Sequence, residues 1–105
     1  TTGVSPKDFV TNEWAVGMHD QALMCLKNIQ TILETAGATL EDLISIEVYI
    51  NDVRWYKEFN DVWNEFFADV KSPPSRSTFQ LGLLAPNMHI EMRAYAVKNT
   101  KYVEE

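Results

Sequence analysis

Arg76 and Glu91 are the residues whose types and positions best suit a chemical role. Arg76 follows the rigid loop at residues 73–75 (Pro-Pro-Ser), which can fix a guanidinium at the entrance to a strand. A planar guanidinium suits a carboxylate, which it can hold through parallel hydrogen bonds. Glu91 lies between Ile90 and Met92, where a partly desolvated carboxylate can take part in proton transfer. From the residues alone, the alternative that both are ion-paired structural residues is slightly favoured.

The other residues with chemical potential form no motif in the sequence. Cys25 lies in a predicted helix with no histidine nearby, so a small apolar core residue is favoured over a nucleophile. His19 and His89 lack the spacing of metal ligands. The glycines are scattered and form no phosphate-binding loop. The sequence therefore offers no motif for a metal or a cofactor.

The bulk composition indicates one compact domain. The chain has 105 residues, of which 46% are hydrophobic, and a domain of this size buries a modest core that self-association would enlarge. The 15 acidic and 9 basic residues give a formal net charge of -6, which argues against non-specific binding to nucleic-acid phosphates. A single cysteine cannot form an internal disulfide. Without a recognisable leader or membrane-length segment, we expect a cytoplasmic protein.

Apolar spacing along the chain predicts an α+β domain. After a short N-terminal strand, periodicity marks segments in the order helix, strand, helix, strand, strand. Gly37 is expected to close the first helix and Asp52 to cap the second. Both helices are expected to pack on one face of a single sheet. The predicted ranges are residues 17–36, 43–50, 52–69, 78–83 and 89–96.

Alternation within each strand predicts which residues face the helices. The predicted core face carries Ile44, Ile46, Val48, Ile50, Phe79, Leu81, Leu83, Ile90, Met92, Ala94 and Ala96. The other face is predicted to carry Glu47, Tyr49, Arg76, Thr78, Gln80, His89, Glu91, Arg93 and Tyr95. Two interpretations of that second face are open: a solvated surface, as antiparallel sheets often have, or a polar subunit interface with clefts.

One segment and its spacing resemble the signature of the reactive-intermediate deaminase (RidA/YjgF) family. Residues 74–84 read Pro-Ser-Arg-Ser-Thr-Phe-Gln-Leu-Gly-Leu-Leu, and Ile-Glu-Met follows at residues 90–92. Residues 36–42 (Ala-Gly-Ala-Thr-Leu-Glu-Asp), 48–52 (Val-Tyr-Ile-Asn-Asp) and 58–63 (Glu-Phe-Asn-Asp-Val-Trp) also agree. The resemblance spans nearly the whole chain, and its order and spacing make it specific.

The resemblance implies a chorismate-mutase-like fold, assembled as a homotrimer with pockets between subunits. It implies hydrolysis of enamines and imines, such as 2-aminoacrylate and its tautomer 2-iminopropanoate, to a 2-keto acid and ammonia without a metal or cofactor. Arg76 would match the arginine that binds the substrate carboxylate, and Glu91 the glutamate that positions water and manages protons. Thr2, Thr78 and Asn60 would match residues that line the pocket.

The chain departs from the family pattern in several places. Thr78 stands where the archetype often has cysteine, and Arg93 replaces the second glutamate of the usual motif. We expect Arg93 to pair with Glu91, because residues two apart on a strand share a face. Family members also have a β-hairpin with a pocket tyrosine before the position of Thr1. The single domain over residues 1–105 is expected to lack this hairpin. Two interpretations stay open: the sequence is a shortened one, or the protein exposes a sheet edge.

Two other functions stay open on the sequence. A non-catalytic trimer that binds a small carboxylate or a protein partner is favoured by Arg93 and by the missing hairpin. Ribonuclease activity, attributed to some relatives, is disfavoured by the net charge of -6 and by the lack of a histidine pair. The expected partners are a carboxylate-bearing imine, enamine or keto acid and further copies of the chain, with neither nucleic acid nor membrane.

Overall fold

The computed structural model describes residues 1–82 and 85–98 and confirms the α+β class. One-turn 3-10 helices precede the first strand and the second helix. Leu83, predicted to face the core, lies outside the described residues. The elements are helix α1 (Met18–Thr35), strand β1 (Leu43–Ile50), helix α2 (Tyr56–Phe66), strand β2 (Ser75–Gln80) and strand β3 (Ile90–Ala96).

The strands form one mixed sheet with β1 in its centre. The order is β2-β1-β3, with β2 parallel to β1 and β3 antiparallel to it. The N-terminal segment continues the sheet beyond β3, where the N–H of Val4 donates to the carbonyl of Met92 at 2.6 Å. Among the described strands, β2 is therefore an edge strand with one unpaired side.

Helix α1 covers the sheet with one apolar stripe. Ala22, Leu26 and Ile29 follow the predicted spacing and are fully buried, because side chains three and four residues apart lie on the same face of a helix. Gly37 follows the helix with a φ of 79°. Glycine adopts this left-handed conformation at little cost, so the predicted helix end is confirmed.

A register shift at the start of β1 corrects the predicted direction of Ile44. The pairing with β3 is irregular between Leu43 and Ser45. Leu43 takes the core position and is fully buried, whereas Ile44 is 44% exposed. Such an irregularity exchanges the faces of the residues on one side of it, since strand side chains alternate. Ile46 is buried as predicted.

Helix α2 is shorter than predicted and carries several aromatic residues. It ends at Phe66 rather than near residue 69. The carboxylate of Asp52 accepts a hydrogen bond from the N–H of Arg54 at 2.9 Å. Asp52 therefore caps the 3-10 turn before the helix, and not α2 itself as predicted. Phe59 and Trp63 are buried against the sheet.

The predicted facing of β2 is wrong. Arg76 pairs in register with Ile46, whose side chain is buried under the helices. Paired residues of neighbouring strands share a face and alternate residues return to it. Arg76, Thr78 and Gln80 therefore lie on the helix side of the sheet. Phe79, predicted to face the core, is 49% exposed and stacks on Tyr49 of the outer face, with 5.7 Å between the ring centroids.

Candidate active site

The guanidinium of Arg76 lies among three aromatic rings of α2. Its central carbon is 5.0 Å from the ring centroids of Phe59 and Trp63 and 5.7 Å from that of Tyr56. One terminal nitrogen donates a hydrogen bond to the Tyr56 hydroxyl oxygen at 3.1 Å. Cation–π attraction holds a guanidinium at such distances without using its in-plane N–H donors. The rings therefore fix Arg76 and leave most of its donors without a partner among the described residues.

No carboxylate neutralises Arg76 within the described ranges. The ion pairs found there involve His19, Arg54 and Lys57. Arg76 is half-buried and is held by rings rather than by an acid, so its charge is not neutralised by a described residue. The described residues therefore do not support the alternative interpretation, in which Arg76 is an ion-paired structural residue.

Thr78 and Asn60 lie near Arg76 on the same side of the sheet. Thr78 is two residues further along β2, and its Oγ1 is buried without a hydrogen-bond partner in the part of the chain that the structure describes. A buried hydroxyl usually finds a partner, so this one is available to a ligand. Asn60 lies four residues after Tyr56 and three before Trp63, on the same stripe of α2. We call Arg76, Thr78, Asn60 and Tyr56 the arginine half-site.

Glu91 lies on the outer face of the sheet, close to the N-terminal segment. It pairs in register with Tyr49 and is half-buried. A Cβ atom on Gly3 would lie 2.7 Å from Oε1 of Glu91, so the carboxylate packs against the bare backbone of that glycine. Thr2, the neighbour of Gly3, is exposed. We call Glu91, Gly3 and Thr2 the glutamate half-site.

Arg93 does not pair with Glu91, which corrects the expectation from their spacing. The pKa of Arg93 is raised by a hydrogen bond with Tyr95 and by the nearby Tyr49 and Glu47. Glu47 itself accepts hydrogen bonds from the hydroxyls of Tyr49 at 3.2 Å and Tyr95 at 3.1 Å. Arg93 therefore belongs to a polar cluster on the outer face and leaves the carboxylate of Glu91 without a guanidinium partner in the described ranges.

The two half-sites face opposite sides of one sheet. Arg76 shares the helix side with Ile46, whereas Glu91 shares the outer side with Tyr49. The central strand β1 separates β2 from β3. Within a single chain, the structure therefore does not bring Arg76 and Glu91 together. Arg76 could meet a Glu91 carboxylate only if that glutamate belonged to another copy of the chain.

His89 does not lie on the outer face, because it precedes β3. Its N–H donates to the amide oxygen of Gln21 at 2.7 Å, and its ring lies 5.5 Å from that of Trp55. The Gln21 side chain also donates to the carbonyl of Asn87 at 2.6 Å. Gln21, Asn87 and His89 border a surface cavity of about 390 Å³ whose lining includes neither Arg76 nor Glu91. Since the Gln21 amide is already satisfied, we interpret this cluster as structural.

Cys25 is a core residue, as its place in the predicted helix suggested. It is fully buried, and its thiol donates to the carbonyl of Val4 at 3.5 Å. Burial raises the pKa of the thiol, and the negative charge of Glu91 raises it further. A protonated thiol is a poor nucleophile. Among residues 1–82 and 85–98, no three His, Cys, Asp or Glu side chains are grouped to hold a metal ion.

Comparison with known proteins shows the family to which this chain belongs. The family described as endoribonuclease L-PSP matches residues 1–98, which include both half-sites. The chain belongs to this family, known as RidA/YjgF. Neither helix in the described part of the chain is long and apolar enough to cross a membrane.

Relatives and solved structures agree with the RidA/YjgF assignment. A RutC family protein of Aquifex aeolicus is 32% identical over 96 residues, which are 91% of this chain and 74% of the relative. Escherichia coli TdcF with bound serine is 31% identical with a TM-score of 0.87, covering 93% of this chain and 78% of TdcF. TdcF carries the provisional name of reactive intermediate deaminase. The YjgF gene product of Escherichia coli has a TM-score of 0.86 at 28% identity, covering 92% and 77% of the two chains.

Several residues in and around the half-sites carry no motif in the sequence. Phe59 and Trp63 lie three and seven residues after Tyr56, and this helical spacing is also what core packing requires. The clustering of aromatic residues on one helix is the signal that could have indicated a site beside the core. Gly3 could not be identified in this way because its role depends on the approach of Glu91, which lies 88 positions away along the chain.

Replacing Gly3 with alanine should lower the turnover proposed below without unfolding the protein. The new Cβ would collide with Glu91, but only with the flexible end of its side chain. The carboxylate should therefore swing away, and if Glu91 has the role that the resemblance implies, kcat should fall roughly 10- to 100-fold. Gly82→Ala is the matched control, since a Cβ there meets nothing within 4 Å. Equal kcat values for the two variants would contradict the packing role of Gly3.

Proposed function

We propose that this chain is an enamine and imine deaminase that converts 2-aminoacrylate and related intermediates to 2-keto acids and ammonia. The observation that carries the proposal is the guanidinium of Arg76, which aromatic rings hold in place without a carboxylate partner among the described residues. Such a group is suited to the carboxylate of a small amino-acid-derived substrate. The serine bound by Escherichia coli TdcF is a ligand of this class.

The proposed chemistry needs a fixed substrate and a directed water. Protonation of 2-aminoacrylate at its methylene carbon gives 2-iminopropanoate. Water then adds to the imine carbon, and loss of ammonia from the resulting carbinolamine leaves pyruvate. Arg76 anchors the carboxylate, while Glu91 orients the water and carries its proton. Thr78 and Asn60 line the arginine half-site, and Thr2 borders the glutamate half-site. No step calls for a cofactor or a metal.

We further propose that the complete site lies between neighbouring copies of the chain in a homotrimer. Two arguments support this arrangement. The half-sites lie on opposite faces of the sheet, so a single chain separates Arg76 from Glu91. The outer face presents polar groups, such as Glu47 and Arg93, together with the exposed ring of Phe79. A closed ring of identical subunits repeats the same contact and builds equivalent sites.

An ammonia-release assay tests the proposed activity. When 2-aminoacrylate is generated in situ, we expect the purified chain to accelerate the appearance of both pyruvate and ammonia in equal amounts. Arg54→Ala serves as a control, because the exposed Arg54 side chain pairs with Asp52, which belongs to neither half-site. If the rate with the protein equals the spontaneous rate for several imine substrates, the chain is not a deaminase.

A carboxylate-binding protein without turnover is the second candidate. It is favoured by the separation of Arg76 from Glu91 in one chain, since the arginine half-site can bind a carboxylate by itself. Thermal shift with 2-oxobutyrate distinguishes the two functions when it is run beside the ammonia assay. Binding without acceleration of any imine substrate would support the second candidate.

A further inference from the structure

Tyr56 makes the one polar contact of the Arg76 guanidinium found among residues 1–82 and 85–98. Its hydroxyl oxygen accepts the hydrogen bond from a terminal nitrogen of Arg76 at 3.1 Å. A phenol that accepts in this way still has its own proton to donate. No acceptor for that proton occurs in the described ranges. The residue is 39% exposed, so a ligand can reach its hydroxyl.

The position of Tyr56 is fixed by the packing around it. The N–H of Val53, at the turn before α2, donates to the side-chain oxygen of Gln80 on β2 at 3.0 Å. Phe59, one turn further along α2, is fully buried. The hydrogen bond joins the start of the helix to the strand that carries Arg76, and the burial of Phe59 anchors the helix in the core. The phenol and the guanidinium are therefore held as one unit.

Several hydrogen-bond donors on the helix side of β2 have no partner among the described residues. Arg76 has several N–H groups without a partner, Tyr56 has its hydroxyl proton, and Thr78 has a buried hydroxyl without a partner in the described part of the chain. Each oxygen of a carboxylate accepts more than one hydrogen bond. Donor atoms 3.1 Å apart, such as those of Arg76 and Tyr56, can therefore both reach one carboxylate.

We propose that Tyr56 binds the substrate carboxylate together with Arg76 and makes the site selective for it. This inference rests on the proposed function, in which Arg76 holds that carboxylate. The Tyr56 oxygen orients the guanidinium by accepting from it, and the Tyr56 proton is donated to the bound carboxylate. A neutral substrate group, which attracts a hydroxyl proton less than a carboxylate does, gains less from this arrangement.

The variant Tyr56→Phe removes the hydroxyl and keeps the ring over the guanidinium. We expect the Kd for 2-oxobutyrate, measured by calorimetry, to rise roughly tenfold, since one hydrogen bond to a charged group is lost. We expect KM to rise by a similar factor while kcat changes less than about twofold, because the contact forms with the substrate before the reaction. Thr31→Val is the control, since it removes a hydroxyl on α1 whose partner in the described part of the chain is the carbonyl of Lys27.

The outcomes separate this inference from the function on which it rests. If the unmodified chain binds 2-oxobutyrate and Tyr56→Phe binds it equally well, Tyr56 is not a carboxylate ligand, and the proposed function stands. If kcat falls while KM and Kd stay constant, Tyr56 acts elsewhere and the inference is wrong. If the unmodified chain neither binds 2-oxobutyrate nor turns over an imine, the inference and the proposed function fail together.

Discussion

Replacing Arg76 with alanine is expected to lower kcat/KM for 2-aminoacrylate by roughly a hundredfold or more, because two charge-assisted hydrogen bonds to the carboxylate are lost. The loss should appear mainly in KM, since an anchoring contact acts on substrate and transition state alike. Arg76→Lys should recover only part of the loss. Lysine keeps the charge but lacks the planar fork and the fit among the rings of Phe59 and Trp63.

Two controls make the Arg76 result interpretable. Arg54→Ala removes another arginine, whose side chain is 86% exposed, and should leave kcat/KM unchanged. Thermal unfolding of Arg76→Ala shows whether the aromatic residues of α2 still pack when the guanidinium is absent. Unchanged activity in a folded Arg76→Ala protein would remove Arg76 from the site.

Replacing Glu91 with glutamine is expected to lower kcat by roughly a hundredfold, the usual contribution of a positioned proton-transfer group. Glutamine has nearly the same shape and cannot take a proton from water. KM should change little, because Glu91 lies outside the arginine half-site that binds the carboxylate. Stopped-flow or coupled assays of ammonia release measure kcat and KM separately.

The Glu91 prediction also has a matched control. Glu34→Gln makes the same chemical change at an exposed position on α1 and should leave kcat unchanged. The melting temperature of Glu91→Gln should stay close to that of the unmodified chain, since no hydrogen bond to this carboxylate is found in the described ranges. A Glu91→Gln protein with full kcat would contradict the proton-transfer role.

The order of the elements could be predicted from local patterns. The bounds of β1, the glycine after α1 and the cap at Asp52 all follow from rules that involve a few neighbouring residues. The family also follows from local motifs, since the segment that carries Arg76 and the spacing to Glu91 are characteristic of it. The resemblance placed the chain in the family that the comparisons show.

The facing of β2 could not be read from local patterns. Phe79 and Leu81 alternate with polar residues, which suggested that the apolar residues face the core. The parallel register with β1 instead turns Arg76 towards the helices. A strand has a period of two, so a wrong choice reverses every side chain at once. β2 is an edge strand beside a polar site, and it has too few apolar residues to show from the sequence which of its faces is buried.

The same long-range dependence applies to Arg93 and Ile44. Arg93 shares a face with Glu91, but its cluster with Tyr95 and Glu47 depends on the pairing of β3 with β1. Ile44 faces away from the core because of an irregularity in that same pairing. The residues next to Arg93 and Ile44 in the sequence indicate neither this strand pairing nor its irregularity.

Mixing two impaired variants at a 2-aminoacrylate concentration well below KM tests the central claim most directly, namely that Arg76 of one chain and Glu91 of another form each site. Arg76→Ala and Glu91→Gln chains are co-expressed or refolded together and assayed for ammonia release. Random assembly should restore about a quarter of the sites, because each complete site needs an intact arginine from one chain and an intact glutamate from its neighbour. Mixed protein with no more activity than the two variants measured separately would contradict the shared site.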